Sequence, residues 1–347
     1  MKLKRLVAVS LAIMLVLSVL AACSSNSNDN SSATDDGAKK KYAIIFKNTG
    51  NPYGEKEMEG FKNAIEEIGG EAILKAPDQP TAEAQIQMIE ELISQKVHAI
   101  AMVGNDPDAL QPALEKAMKA GIKVLSLDSA VNAKSRMVHI NQADPERIGR
   151  VQVQAIYDMI GGKGEIAVLS ATSQATNQNA WIEWMKEELK DPKYKDMKLV
   201  KVAYGDDLRD KSVSETEALL KSFPDLKGII SPTTVGIAAA GKVLTDKGLI
   251  GKVHLTGLGL PSEMADYIES GACEWMYLWN PLDVGYLAGF AADALVKETI
   301  TGKVGDKFSA GKLGDKEVIA DGEGTQVMLG DPFKFEKSNI AEWKTVY

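Results

Sequence analysis

The chain has 347 residues, 40 Lys and Arg against 48 Asp and Glu, and a formal net charge of −8. At 45% hydrophobic and 25% charged it reads as a globular protein long enough for two domains. The acidic balance excludes nucleic acid as a partner, and two cysteines, Cys23 and Cys273, exclude a disulfide framework or a CxxC-type zinc site.

The N-terminus reads as an address. Lys2, Lys4 and Arg5 precede an apolar run over 6–20, which ends at Leu20-Ala21-Ala22-Cys23. Small residues before a cleavage point mark an export signal. A cysteine directly after them resembles the bacterial lipobox, in which the thiol is acylated and becomes the new N-terminus. Residues 1–22 are therefore expected to be a lipoprotein signal peptide, and Cys23 the lipidation (palmitate-type) site. Residues 23–40 are rich in Ser, Asn, Asp and Gly and read as a flexible tether. Cys273, alone in an apolar run, reads as an unpaired core residue.

From Tyr42 onward short apolar runs alternate with amphipathic stretches. Candidate strands lie at 42–47, 71–75, 98–103, 123–126 and 137–140, and candidate helices at 54–68, 82–94 and 109–119. A second series follows, with strands at 165–170, 199–204, 228–231 and 252–257 and helices from about 179, at 211–222 and at 235–247. Strands buried on both faces with helices between them mean parallel sheets, and two series mean two doubly wound α/β lobes. Ligands of such sheets bind beyond the carboxyl ends of the strands, so the polar residues there are the candidates. Lys47 and Asp128 are the most telling, because a charge at a cleft-facing strand end needs a polar partner or a ligand. Asp106, Thr176, Ser262 and Asp283 read as helix N-caps.

Catalytic signatures are missing: no GxSxG elbow, Walker loop, HExxH or strand-linked GxGxxG occurs. The three histidines, His98, His139 and His254, offer little material for a metal site. The reading is therefore binding without chemistry, with no enzyme activity, cofactor or metal. An exported sugar-modifying enzyme is the reading from another class; it requires a carboxylate pair flanking the bond to be cleaved.

Seven long segments carry a family resemblance: KNTGNPYGEKEMEGF (47–61), VGNDPDALQPALEKAMKAGIKVL (103–125), LSATSQATNQNAWIEWMK (169–186), YGDDLRDKS (204–212), SPTTVGIAAAGKVL (231–244), TGLGLPSEM (256–264) and LWNPLDVGYLAG (278–289). With them the chain resembles a periplasmic-binding-protein-like solute receptor of a carbohydrate ABC transporter, within the rhamnose-binding and autoinducer-2-binding groups. The resemblance implies a type I periplasmic binding protein-like fold, two lobes joined by a three-segment hinge. One lobe is expected to hold 41–147 plus about 280–305, the other 148–279 plus about 306–347. The hinge segments are expected near 143–149, 274–281 and within 303–320.

The resemblance also places a ligand set. The lysine after strand one of the autoinducer-2 receptors falls on Lys47, and their aspartate after strand four on Asp128. Their Asp-Gln pair falls on Asn177-Gln178, their main-chain proline on Pro232, and their alanine on Thr234. Tyr53 and Trp279 are expected to offer an apolar face to a ligand's carbons. Asp128 would accept hydroxyl protons and Lys47 would donate, the two charges pairing across a neutral ligand. Autoinducer-2, a quorum-sensing signal, is the lead ligand on these contacts, with L-rhamnose almost level because the rhamnose group is closer over the full length. The expected partners are that small ligand, a membrane permease and, through Cys23, the cell membrane on its extracytoplasmic face; the protein itself is expected to be a monomer.

Overall fold

The alternation of strand and helix read from the apolar runs is the architecture of the computed structural model, which describes residues 39–347. Met1 to Ala38, with the expected signal peptide, Cys23 and most of the tether, lie outside the described residues.

The first lobe begins with β1 (Lys41–Ile45), α1 (Pro52–Glu67), β2 (Glu71–Lys75) and α2 (Ala82–Ser94). It continues with β3 (Ala99–Met102), α3 (Pro107–Lys119), β4 (Lys123–Leu127) and β5 (His139–Asn141). Each of β1, β3 and β4 is almost wholly apolar because helices cover both faces of the sheet. The pleat divides β1: Tyr42, Ile44 and Phe46 enter one core, while Ala43 and Ile45 enter another beneath α2 and α3, with Ile89, Leu92, Leu110 and Leu114. Burying each such Leu or Ile contributes about 1.5–3 kcal/mol.

The second lobe comprises α4 (Pro145–Met159), β6 (Gly164–Ser170), α5 (Thr176–Glu188), β7 (Met197–Tyr204) and α6 (Arg209–Ser222). After these come β8 (Leu226–Ser231), α7 (Thr234–Asp246), β9 (His254–Gly257), α8 (Pro261–Ser270) and β10 (Trp275–Leu278). Its sheet runs β7-β6-β8-β9, all parallel, and β10 joins β9 through a single Leu258–Tyr277 bridge.

The chain then recrosses. Helix α9 (Pro281–Val296) packs on α1 in the first lobe. Small residues make this approach possible: a Cβ on Gly60 would stand 1.9 Å from the Leu282 carbonyl, and one on Gly285 would stand 1.8 Å from that of Glu57. Beyond it lie β11 (Lys307–Ser309), β12 (Asp315–Glu317), β13 (Ile319–Asp321) and β14 (Gly324–Met328). Strand β14 pairs in parallel with β5, and β13 forms the antiparallel edge. Among the described residues the first sheet therefore has seven strands, in the order β13-β14-β5-β4-β3-β1-β2. Only then does the chain return to the second lobe, where β15 (Phe333–Glu336) pairs with β10, and α10 (Ile340–Trp343) follows.

This corrects the expected boundaries. Residues 319–328 belong with the first sheet, not the second, so the third crossing lies at 329–332 rather than within 303–320. The other two crossings fall at 142–144 and 279–280, between elements of opposite lobes. The physical reason is a hairpin. Asp321 and Gly324 flank the two-residue turn Gly322-Glu323, whose first position has φ +52° and favours glycine.

Of the four expected caps, only Asp106 caps, accepting the N–H groups of Asp108 and Ala109. Proline at the first helical position moves the starts of α8 and α9 upstream, so Ser262 and Asp283 lie inside those helices and Asn280 caps α9. Thr176 also lies inside its helix, and its hydroxyl donates to the Ala130 carbonyl of the other lobe at 2.9 Å. Cys273 is buried, as expected of a core residue; burial pushes its thiol pKa up, which keeps it an inert thiol. Among the described residues no helix is long and apolar enough to cross a membrane.

Candidate functional site

The carboxyl ends of the two sheets face one another, and seven strands deliver residues to the space between. Lys47 follows β1, Asp128 follows β4, and Asn177 and Gln178 open the helix after β6. Asp207 follows β7, Pro232 to Thr234 follow β8, Leu258 follows β9, and Leu278 and Trp279 end β10. Together with Phe46, Asn51, Tyr53 and Trp181 they line one cavity of about 30 Å³. The eight residues expected at a ligand site, Lys47, Asp128, Asn177, Gln178, Pro232, Thr234, Tyr53 and Trp279, are thus brought together.

Each is held in place by local structure. The Gln85 amide donates to the carbonyls of Phe46 and Val103, and Asn105 donates to the Lys47 carbonyl, so the ends of β1 and β3 are stitched beneath Lys47. Asn51 caps α1 through Tyr53 N–H at 3.1 Å and fixes the first turn, which carries Tyr53. Trp279 Nε1 donates to the Tyr53 hydroxyl at 2.8 Å, and the Trp181 ring packs 5.8 Å from that of Trp279. Asp128 has φ +53°, in the left-handed region that aspartate tolerates better than most residues; such backbone gathers at ligand sites. Gln178 is less free than its neighbour, because its carbonyl oxygen accepts from Ser170 Oγ and Ala171 N–H.

Lys47 and Asp128 are in direct contact: Lys47 Nζ lies 3.4 Å from Asp128 Oδ2, both side chains being 7% exposed. Asp128 Oδ1 also accepts from Gln142 at 3.2 Å and from Asn177 of the opposite lobe at 3.0 Å. Ser129 Oγ returns a bond to Asn177 Oδ1 at 2.8 Å. With Thr176 these contacts latch the lobes directly across the cleft. The cavity left has room for one or two waters, so a monosaccharide requires the lobes to part and the ion pair to open.

Two acids lie outside the expected ligand set, Asp207 although it stands directly after a strand and Glu57 within α1. Asp207 is buried, accepts the Thr233 hydroxyl and faces Lys47; burial raises its carboxyl pKa, while Lys47 and that hydroxyl oppose the rise. Glu57 lies behind Tyr53 with no exposure. Its signal was present: Glu57 is four residues from both Tyr53 and Phe61, on the apolar face of α1. None of the three histidines reaches the cavity; His98 accepts the Lys41 N–H, His139 pairs with Ser126 and His254 with Glu274. Among the described residues no cluster of His, Cys, Asp and Glu is arranged to hold a metal ion.

The fold has relatives. Residues 42–300 match the periplasmic binding protein domain. An ABC transporter solute-binding protein from Clostridium phytofermentas, solved with bound L-rhamnose, is 52% identical, with a TM-score of 0.87 over 90% of this chain and 100% of that one. LsrB from Clostridium saccharobutylicum, solved in complex with AI-2, is 24% identical with a TM-score of 0.82 over 87% of this chain and 99% of that one, a likeness of fold. The D-apiose import binding protein of Actinobacillus succinogenes is 26% identical over 54% of this chain, and the match spans 60% of that relative.

Proposed function

Because the chain belongs to the periplasmic binding protein family, we propose that it captures L-rhamnose, or a sugar of closely similar shape, for an ABC transporter. Its partner is then the membrane permease that receives the sugar. The 52% identity to the L-rhamnose-bound protein, across that protein's whole length, carries the choice of sugar. The cavity supports it. Lys47, Asp128 and Asn177 supply both donors and acceptors for vicinal hydroxyls, and Trp181, Trp279 and Tyr53 supply apolar surface for a methyl group and ring carbons. Autoinducer-2 moves to second place. Lys47, Asp128, Gln178 and Pro232 agree with its receptors, but Asn177 and Thr234 depart, and the AI-2-bound relative is far less similar.

Sugar entry opens the Lys47–Asp128 pair and inserts hydroxyls between the two charges. The lobes then close over the ligand about the crossings at 142–144, 279–280 and 329–332, with Asn177 and Ser129 meeting across the cleft. Purifying the protein from cells that make autoinducer-2, denaturing it and identifying the released compound tests the reading. A released 6-deoxyhexose is the expected result; released autoinducer-2 would move the assignment to the second ligand.

Lipid attachment at Cys23 is part of the same proposal, since a tethered captor stays beside its permease. Cys23→Ser is expected to leave the protein unacylated and to move it from the membrane fraction to the soluble one or to a retained precursor. Fractionation of that variant with membranes as strongly as the parent would refute the anchor.

A further inference from the structure

Glu57 is a buried acid for which the sugar site, as described so far, has no use. Its side chain has no exposure, and neither carboxyl oxygen has a hydrogen-bond partner. The Tyr53 phenol, one turn earlier on α1, lies nearby but outside hydrogen-bonding geometry. Lys47 and Asp128 act on Glu57 from the ends of β1 and β4, and Lys47 also faces Asp207 of the second lobe. Three carboxyls therefore surround one ammonium in a space that closure strips of water.

Three negative charges against one positive cannot be desolvated together at tolerable cost. The hydrogen bonds distinguish the acids. Asp128 has Lys47, Asn177 and Gln142; Asp207 has the Thr233 hydroxyl; Glu57 has none. Burial first, then the Asp128 carboxylate, push the Glu57 carboxyl well above the ordinary carboxylate range, against the pull of Lys47. Besides Lys47, β1 carries Lys41, but at its opposite end, some six residues of extended strand away; the other elements packed on α1 bring no spare positive charge. On α9, Asp283 pairs with Lys312, and Asp293 with Lys297 and Tyr42; on β2, Lys75 pairs with Glu91, and Glu71 is exposed.

We propose that Glu57 carries a proton in the sugar-binding conformation and acts as a positioning residue: while neutral it leaves Lys47 to Asp128 and the ligand, so sugar affinity falls as rising pH ionises it. This rests on the reading of the cavity as a sugar site. An ionised Glu57 draws the same ammonium toward α1 and away from the ligand's hydroxyls.

The parent and Glu57→Gln proteins, labelled with 13C at the glutamate side-chain carboxyls, test the first half. One resonance present only in the parent is expected to stay at the protonated position at about pH 7; a carboxylate position there would overturn the proposal. Calorimetry with L-rhamnose tests the second half. The parent is expected to weaken by about fivefold or more between about pH 6 and pH 9, while Glu57→Gln holds within about twofold, because the amide mimics the neutral acid. Equal slopes in the two proteins would overturn the link to binding. Should neither protein bind L-rhamnose at about pH 6, the choice of sugar fails instead, and melting curves decide on Glu57. A carboxyl raised by folding contributes stability that is present below its unfolded pKa and is lost as pH rises through its folded one. The parent should then lose more Tm than Glu57→Gln between about pH 5 and pH 9, and parallel losses would overturn the proposal.

Discussion

Asp128→Ala is expected to weaken L-rhamnose binding by about 30- to 1,000-fold, or about 2–4 kcal/mol, the loss of charge-assisted bonds to ligand hydroxyls. Part of any stability change in this variant comes from the backbone, because Asp128 sits at φ +53°, where alanine is less comfortable than aspartate. Asp128→Asn separates the two effects, since asparagine tolerates that conformation and keeps the size while removing the charge. It is expected to lose about 30-fold or more in affinity, with a Tm loss limited to the cost of leaving the Lys47 ammonium without its partner. Lys47→Ala should behave like Asp128→Ala, and the double variant should lose less than the sum, because the two side chains are in contact at 3.4 Å. Calorimetry and melting on the same samples decide the matter. If Tm falls by many degrees in Asp128→Asn while the folded fraction binds normally, Asp128 is structural.

Gly285→Ala is expected to be the most damaging single methyl. Its Cβ would stand 1.8 Å from the Glu57 carbonyl oxygen and 2.8 Å from Phe61 N. Both are main chain of α1 and cannot rotate away, so α9 must move off α1 over the whole contact. Overpacking of this kind costs about 3 kcal/mol or more, which in a protein of this size lowers Tm by roughly 5–10 °C. Because Glu57 and Tyr53 ride on α1, sugar affinity should fall too. Gly330→Ala is the control. A Cβ there meets nothing within 4 Å, and it should shift Tm by about 1 °C or less although it lies in the third crossing. Equal Tm for the two variants would mean that the α1–α9 contact is not tight.

Much of this was legible in the chain, for identifiable reasons. A parallel strand covered on both faces must be apolar throughout, so β1, β3 and β4 stand out as runs, and the polar residues directly after them mark the mouth of the cleft. Lys47 and Asp128 were found that way. What was not legible depended on long-range packing. The hairpin of β13 and β14 is short and half-exposed, so its strands carry little hydrophobic signal, and only the glycine of its Gly322-Glu323 turn announces it. Glu57 shares the apolar face of α1 with Tyr53 and Phe61, but its complete burial depends on α9 returning to pack there. The direct Lys47–Asp128 contact joins the ends of β1 and β4 across β3 in one sheet, a strand order that no local pattern encodes.

Calorimetric titration of residues 41–347 with L-rhamnose tests the central claim, sugar capture between the lobes, most directly. The account predicts one site per chain with a Kd of about micromolar or tighter, lost in Asp128→Asn. Saturable binding of autoinducer-2 with no heat from L-rhamnose, or L-rhamnose binding that Asp128→Asn leaves intact, would contradict it.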